Sequence, residues 1–481
     1  MNGSEYASLT AVAMAQLVRE RKLSPVELVR AALAAIGATD ARINGWCDVL
    51  HDQALGQARQ LEAEAQRGEL RGPLHGVPIG VKDLFHTAGV RTRRGSRLTA
   101  DPVPSENSPA VQRMLDAGAV MVGKNTTPET GWKASSNSPL TGVTRNPWDP
   151  SKTAGGSSSG SAVAVAAGTV PIALGSDGGG SMRIPASFCG IFAIKAQLGR
   201  VPVWPLSASE HLSHAGPMTA NVADCALSLD VLKGPDWRDP FSLPDDGLRY
   251  SELIGAPPAR LRCVLAPTLF GKPVQPEVAA CIDAAFAAIA RMPGVEVLDT
   301  RIDWSDPVDI FDRLWTARGA LRSGLRAQEK ALLDPGLARL IERSAQIGLG
   351  DHLRALQARA AFCRTVGESF RRFDLLLLPT VPIAPFAAEA DGPPEMDAEA
   401  PVPWARWTPF SYPFNITGQP AASIPCGWTG AGMPVGLQVV GNRFDDASVL
   451  GFCAAWEREF NWHSRRPQVW AGAISTQGNL R

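Results

Sequence analysis

Apolar and polar positions along this 481-residue chain switch repeatedly between helical and strand spacing, which predicts helices and strands in alternation. Ser24-Pro25-Val26-Glu27 opens a helix: Ser24 suits the N-cap, Pro25 the first helical position, and Glu27 completes a capping box. This is expected to be the second of two opening helices. A charged helix near Gln53–Arg67 closes a helical N-terminal region of about residues 1–70. Gly72 to Leu84 contains a short apolar run bounded by Gly and Pro and reads as a strand, which sets Lys82 among Val77, Ile79, Val81 and Leu84. A helix over Val111–Ala117, a buried strand over Val120–Gly123, a small-residue helix over Ser161–Ala167 and a strand over Val170–Leu174 follow. Gly175–Ser181 is a glycine-dense turn.

From Arg260 the alternation resumes, with a strand near Cys263–Ala266, a helix near Glu277–Arg291 and mostly helix from about Pro307 to Phe373. The run Asp374–Pro379 is predicted to be a buried central strand from its length and its proline stop. Ala421–Pro425 and Val435–Val440 read as late strands, and residues 384–413, rich in Pro, Ala and Glu, as an irregular surface loop bordering a site. Such alternation implies an α/β sheet with helices on both faces. No internal repeat interrupts it.

Lys plus Arg and Asp plus Glu number 47 each, so no global field draws the chain to nucleic acid or to an acidic membrane. That balance favours a neutral or weakly polar small molecule as partner. The N-terminus lacks a basic segment followed by an apolar stretch, and no run of eighteen apolar residues occurs, so a cytoplasmic location is expected; a monomer and a homodimer both stay open. The eight cysteines are scattered singly without a CxxC pair, which predicts reduced, buried thiols. The seven histidines show no HExxH or related spacing, so neither a metal nor a cofactor is predicted.

Two Gly/Ser clusters carry the chemistry. Gly155-Gly-Ser-Ser-Ser-Gly-Ser161 lacks the Gly-Lys-Ser/Thr ending that a phosphate-binding loop needs. A flexible linker is excluded by context, because the cluster runs directly into the apolar segment Ala162–Ala167. In Gly175-Ser-Asp-Gly-Gly-Gly-Ser-Met-Arg-Ile-Pro185, three glycines precede a serine. Consecutive glycines let several N–H groups converge on one point, as an oxyanion hole requires, and make Ser181 the natural nucleophile. The Gly-x-Ser-x-Gly elbow is absent, which disfavours an Asp–His-dependent hydrolase.

These two clusters, preceded by Gly-Val-Pro-Ile-Gly-Val-Lys-Asp, resemble the amidase signature family, and the spacings of Lys82, Ser157 and Ser181 agree with it. The likeness extends to Asn146-Pro-Trp148, Gly216-Pro-Met218, Leu376–Pro379 and the tail from Phe414 to Gln438. It implies one catalytic domain over residues 1–481, built on a mixed, twisted sheet covered by helices on both faces. It also implies Ser181 as nucleophile, Ser157 after a cis bond from Gly156 as proton relay, and Lys82 as general base. The backbone N–H groups of Gly178, Gly179, Gly180 and Ser181 become the oxyanion hole, with Ser158, Asp177 and Arg183 in support. Thr130, Gly131 and Trp132 fall where the family builds part of its substrate pocket, although Trp132 could equally be core. Gly178 stands where many members carry a β-branched residue, which is expected to widen the hole. His214 reads as a structural histidine.

The activity implied is hydrolysis of small aliphatic or aryl amides in a fairly open apolar pocket, with esters and carbamates as further candidates. A second reading is the glutamine-hydrolysing A subunit of a tRNA-dependent amidotransferase. Gly178 and the lack of an evident charged pocket speak against it.

Overall fold

The computed structural model describes residues 3–99, 102–207, 209–255 and 260–470; the remainder of the expected 1–481 domain lies outside the described residues. Three helices open the chain where two were expected, Gly3–Ser8, Ala11–Arg19 and Pro25–Ile43. The last is entered as predicted: Ser24 Oγ accepts the Val26 N–H at 3.0 Å, and Glu27 accepts the Ser24 N–H at 2.9 Å.

Among the described residues thirteen strands follow in chain order: β1 (Trp46–Val49), β2 (Pro78–Lys82), β3 (Val120–Asn125), β4 (Asn137–Ser138), β5 (Gly142–Val143), β6 (Ile172–Asp177), β7 (Phe192–Lys195), β8 (His214–Thr219), β9 (Leu261–Leu265), β10 (Val295–Val297), β11 (Leu375–Pro379), β12 (Ala421–Trp428) and β13 (Pro434–Gly441). Eleven of them form one mixed sheet in the order β1-β3-β2-β6-β8-β7-β12-β13-β11-β9-β10, and β4 and β5 pair separately. The leucine run of β11 is ninth in that order, not central. It is wholly buried because β13 and β9 pair with its two edges. Alternation sends Leu375 and Leu377 into one hydrophobic cluster and Leu376 and Leu378 into another, so an apolar residue is required at every position.

Strands β2 and β6 are parallel neighbours, so their C-terminal ends, Lys82 and Asp177, emerge at the same edge of the sheet. Strand β6 runs three residues beyond the expected stop at Leu174, because Gly175, Ser176 and Asp177 pair with Gly216, Ala215 and His214 of β8. The small-residue helix occupies Ser159–Ala166 and is buried along its whole length. Its close approach needs Gly160, where a Cβ would come within 2.3 Å of the Thr126 nitrogen.

Residues 384–413 form a surface loop only in part, with most of 394–401 exposed. The stretch is irregular, but Phe386, Ala400, Val402, Trp404, Trp407 and Phe410 are buried, all but Ala400 in the second hydrophobic cluster. Its aromatic content, rather than its proline and alanine, decides the outcome. Trp404 packs edge-on against Phe311 and Trp315, at 5.4 and 5.2 Å between ring centroids. The same ring presses on the glycine turn, since a Cβ on Gly179 would come 2.6 Å from Trp404 Cη2. Among the described residues no helix is long and apolar enough to cross a membrane.

Replacing Trp404 with Ala should therefore cost about 3–5 kcal/mol, read as a lower urea midpoint. Trp237→Ala, at a ring 91% exposed, should leave the midpoint unchanged. Equal midpoints for the two variants would show that the segment is not a structural support.

Candidate active site

Lys82 ends β2 with its side chain wholly buried. Its Nζ stands 2.8 Å from Ser157 Oγ and 2.9 Å from both Ser158 Oγ and Ser176 Oγ. No carboxylate among the described residues lies within ion-pairing distance of it. Burial pushes the Lys82 ammonium well below the ordinary lysine value, with the Asp177 charge opposing and the Arg318 charge adding to the shift. The three hydroxyls come from the two Gly/Ser clusters: Ser157 and Ser158 at the entry to the Ser159–Ala166 helix, and Ser176 near the end of β6. Ser158 is fixed between them, donating to the Ser176 carbonyl at 3.1 Å and accepting the Ser176 N–H at 3.2 Å. The Gly156–Ser157 peptide bond is cis, as the family resemblance implied.

Beyond β6 the chain turns through Gly178, Gly179 and Gly180 to Ser181. Gly180 has φ of +128°, a conformation that residues with a side chain rarely adopt. Asp177 shapes this turn by accepting the Gly180 N–H at 2.7 Å and the Met182 N–H at 3.3 Å. The Gly180 N–H is thus committed to Asp177, which removes it from the expected oxyanion set. The N–H groups of Gly178, Gly179 and Ser181 have no acceptor among the described residues. Ser181 is tied to the other cluster through its carbonyl, which accepts the Ser158 N–H at 3.0 Å. Among the described residues no hydrogen bond joins the Ser157 and Ser181 hydroxyls, although both line the same cavity.

Asp177 and Arg183 are a fully buried ion pair with Nε–Oδ2 at 2.9 Å. Every N–H of the guanidinium is used: two toward Asp177, two from Nη1 toward the Ser411 carbonyl and Gln438 Oε1, and one toward Asn415 Oδ1. Burial alone would raise the Asp177 carboxyl, but the Arg183 charge and its hydrogen bonds outweigh that and hold it well below the usual range. His214 is held at Nδ1 by the carbonyls of Leu212 (2.9 Å) and Asp177 (3.2 Å), with Nε2 facing Lys195 at 3.2 Å. Burial and the Lys195 charge keep its pKa well below the ordinary histidine value, so it is a neutral positioning group.

A cavity of about 280 Å³ opens over Ser157, Ser176, Gly178 and Ser181, with Thr130 and Gly131 in its wall. Trp132 is not part of it. Its ring is buried in the second hydrophobic cluster, against Gly336, where a Cβ would come 2.3 Å from Trp132 Cη2. Nor does Gly178 widen the hole, because Trp315 fills the space: a Cβ at 178 would come 2.9 Å from Trp315 Cζ3. The expectation of an open apolar pocket also fails, for Arg94, Arg318 and Arg322 line the same cavity.

Ser176, Trp315 and these arginines were not singled out from the sequence. Ser176 sits beside Asp177 in the glycine-rich motif, so its position was a usable signal. Arg318 and Arg322 lie at the two ends of the 3-10 helix Arg318–Arg322, and nothing in the sequence says what that turn meets.

Residues 27–450 match the family model described as Amidase. The chain is 34% identical, over 97% of its length and 99% of that protein, to the A subunit of the glutamyl-tRNA(Gln) amidotransferase of Moorella thermoacetica. It is 33% identical to an acylamidase of Rhodococcus erythropolis, covering 95% of this chain and 97% of that protein. Among solved structures it resembles 6-aminohexanoate cyclic dimer hydrolase complexed with substrate, with a TM-score of 0.88 and 29% identity over 96% of this chain and 99% of that one. A bacterial aryl acylamidase of the amidase signature enzymes gives a TM-score of 0.87 and 29% identity, covering 98% of this chain and 99% of that one. The chain therefore belongs to the amidase family, the amidase signature enzymes, and is a hydrolase of carbon–nitrogen bonds.

Proposed function

We propose that this protein is a serine-dependent amidase, its whole chain forming one catalytic domain, in which Ser181 attacks the carbonyl, Ser157 relays protons and Lys82 is the base. The observation that carries this reading is the wholly buried Lys82 amine, 2.8 Å from Ser157 Oγ and surrounded by hydroxyls rather than carboxylates. A neutral amine has two N–H groups and one lone pair. The Ser158 hydroxyl already donates to the Ser176 carbonyl, so Ser158 Oγ accepts one Lys82 N–H. Ser176 Oγ accepts the other, which leaves the lone pair for the Ser157 hydroxyl.

As Ser181 Oγ bonds to the amide carbon, its proton passes to Ser157 Oγ while the Ser157 proton passes to Lys82. The Gly178, Gly179 and Ser181 N–H groups, which have no acceptor among the described residues, stabilise the oxyanion. Collapse of the tetrahedral intermediate breaks the C–N bond, the leaving nitrogen taking a proton from Ser157, which Lys82 replenishes. Water then releases the acyl group by the reverse relay. A Ser157–Ser181 hydrogen bond is expected to tighten when substrate binds.

Small aliphatic or aryl amides are the proposed substrates, and esters and carbamates present the same carbonyl to Ser181. The cavity of about 280 Å³ and the likeness to an acylamidase and an aryl acylamidase support this range. Likeness to the amidotransferase of Moorella thermoacetica favours glutamine as a second reading. Glutamine carries an ammonium, however, and the only acidic residue among the described cavity walls, Asp177, is bound to Arg183. Amide hydrolysis by the purified chain without any partner separates the two.

Ser181→Ala should lower kcat by roughly 10⁴-fold or more with the fold intact. Cys189→Ala should leave the rate nearly unchanged, since that thiol is buried and lies outside the cavity. Inactivation by a thiol reagent, with Ser181→Ala still active, would remove the serine assignment.

The pH profile tests Lys82. Burial lowers its pKa, so the neutral form that can accept a proton persists to lower pH than in an ordinary lysine and is lost as pH falls through that lowered pKa. Activity should therefore rise with pH through the lowered Lys82 pKa and reach its optimum at neutral to alkaline pH. Lys82→Ala should flatten that limb and reduce kcat/KM by about 10²–10⁴-fold. The loss should be greater for an amide than for a matched activated ester, whose leaving group needs no proton. Equal losses for the two substrates would mark Lys82 as structural.

A further inference from the structure

The three arginines of the cavity have more hydrogen-bonding capacity than the protein uses. Each guanidinium has five N–H donors. Arg318 makes one bond, Nη2 to the Thr130 carbonyl at 3.3 Å. Arg94 makes one, from Nη2 to His86 Nε2 at 2.7 Å. The Arg322 side chain makes none to a described residue. No described carboxylate lies within 4.0 Å of any of them, in contrast with the neighbouring Arg183 and Arg406, both ion-paired. All three are half-buried and open on the cavity. Burial and the Arg322 charge lower the pKa of both Arg318 and Arg94, whereas the more distant charges of Asp83 and Glu129 partly offset this at Arg94 and Arg322 respectively.

Three cations with spare donors, gathered in one small cavity without an ion-pair partner among the described residues, cost folding energy that Asp83 and Glu129 offset only from a distance. An anion bound there would restore it. Guanidinium groups also match a carboxylate in shape, through paired N–H bonds. The position of Arg318 relates that anion to the reacting centre. Its guanidinium lies 4.2 Å over the Trp315 ring, and Trp315 packs against Gly178 of the turn. On its other side it holds the Thr130 carbonyl, next to Gly131, where a Cβ would come 3.1 Å from Ser157 Oγ. Arg318 is thus one ring away from the turn and one residue away from the relay serine.

We infer that the physiological substrate is an amide bearing a carboxylate, which Arg318, Arg322 and Arg94 bind while the scissile carbonyl meets Ser181. This rests on the proposed hydrolysis and names its substrate class. The carboxylate belongs to the acyl part or to the amine part of the amide, and two matched pairs of compounds separate these: glutaric acid monoanilide against valeranilide, and 4-acetamidobenzoate against acetanilide.

Binding of the four compounds to the full-length Ser181→Ala protein is measured by titration calorimetry, so that no turnover is needed. The carboxylate member of at least one pair should bind at least about tenfold more tightly than its neutral partner. Arg318→Gln and, separately, Arg322→Gln in that background should each shrink the preference at least about threefold, with circular dichroism unchanged. Because Arg322 is less deeply buried than Arg318, its variant guards against a folding failure at Arg318. Equal or weaker binding of the carboxylate member in both pairs, including no detectable binding of any compound, overturns the inference. So does a preference that survives in both arginine variants. Release of the amine by the wild type, 4-aminobenzoate from 4-acetamidobenzoate and aniline from the other three, is followed in parallel: its absence, with the carboxylate preference intact, would sink the hydrolytic reading and leave the anion site standing.

Discussion

An amine placed wholly inside a protein without a carboxylate cannot stay charged at small cost, and the site depends on this constraint at Lys82. Desolvation drives the lysine toward its neutral form, and the three serine hydroxyls around it hydrogen-bond that form without restoring the charge. The fold supplies the geometry by setting β2 and β6 as parallel neighbours, so that Lys82 and the glycine turn leave the sheet at one edge. The small-residue helix then brings Ser157 and Ser158 to the same place.

Keeping a carboxylate away from Lys82 is the complementary task. Asp177 is close enough for its charge to act on the lysine, yet its oxygens are taken by Arg183, Asn415 and the Gly180 N–H. The Arg183 network therefore does two things at once: it neutralises the nearest acid, and it bends the chain so that the N–H groups on either side of Gly180 stay open. Ser411, Asn415 and Gln438 complete it from a region more than two hundred residues away in sequence. That dependence gives the late part of the chain a role in shaping the turn that carries Ser181.

The sequence was most legible where local chemistry dictates structure. The capping box at Ser24, the glycine turn before Ser181 and the apolar strand carrying Lys82 are each set by neighbouring residues. It was less legible where partners are distant. The extension of β6 to Asp177 depends on pairing with β8, the partial burial of residues 384–413 on aromatic rings from Phe311 and Trp315, and the ninth place of β11 on strand order. Trp132 and Gly178 misled for a related reason: a motif fixes where the backbone goes, but side chains from distant helices decide what fills the space beside it. At Gly178 the helix Val308–Ala317 supplies Trp315.

The same burial acts on two kinds of basic side chain at this site with opposite results. Lysine starts from a pKa low enough for desolvation to neutralise it, whereas arginine starts so high that Arg318, pulled down to about 10, is still charged at neutral pH. The positive charge of Arg318 in turn disfavours a proton on Lys82. A neutral amine and a charged guanidinium can thus stand close enough for one to act on the other. A lysine at 318 would itself be subject to neutralisation, and could then neither hold an anion nor bias Lys82. The choice of arginine on the cavity wall and lysine behind Ser157 and Ser176 follows from how far each side chain's charge resists the loss of water.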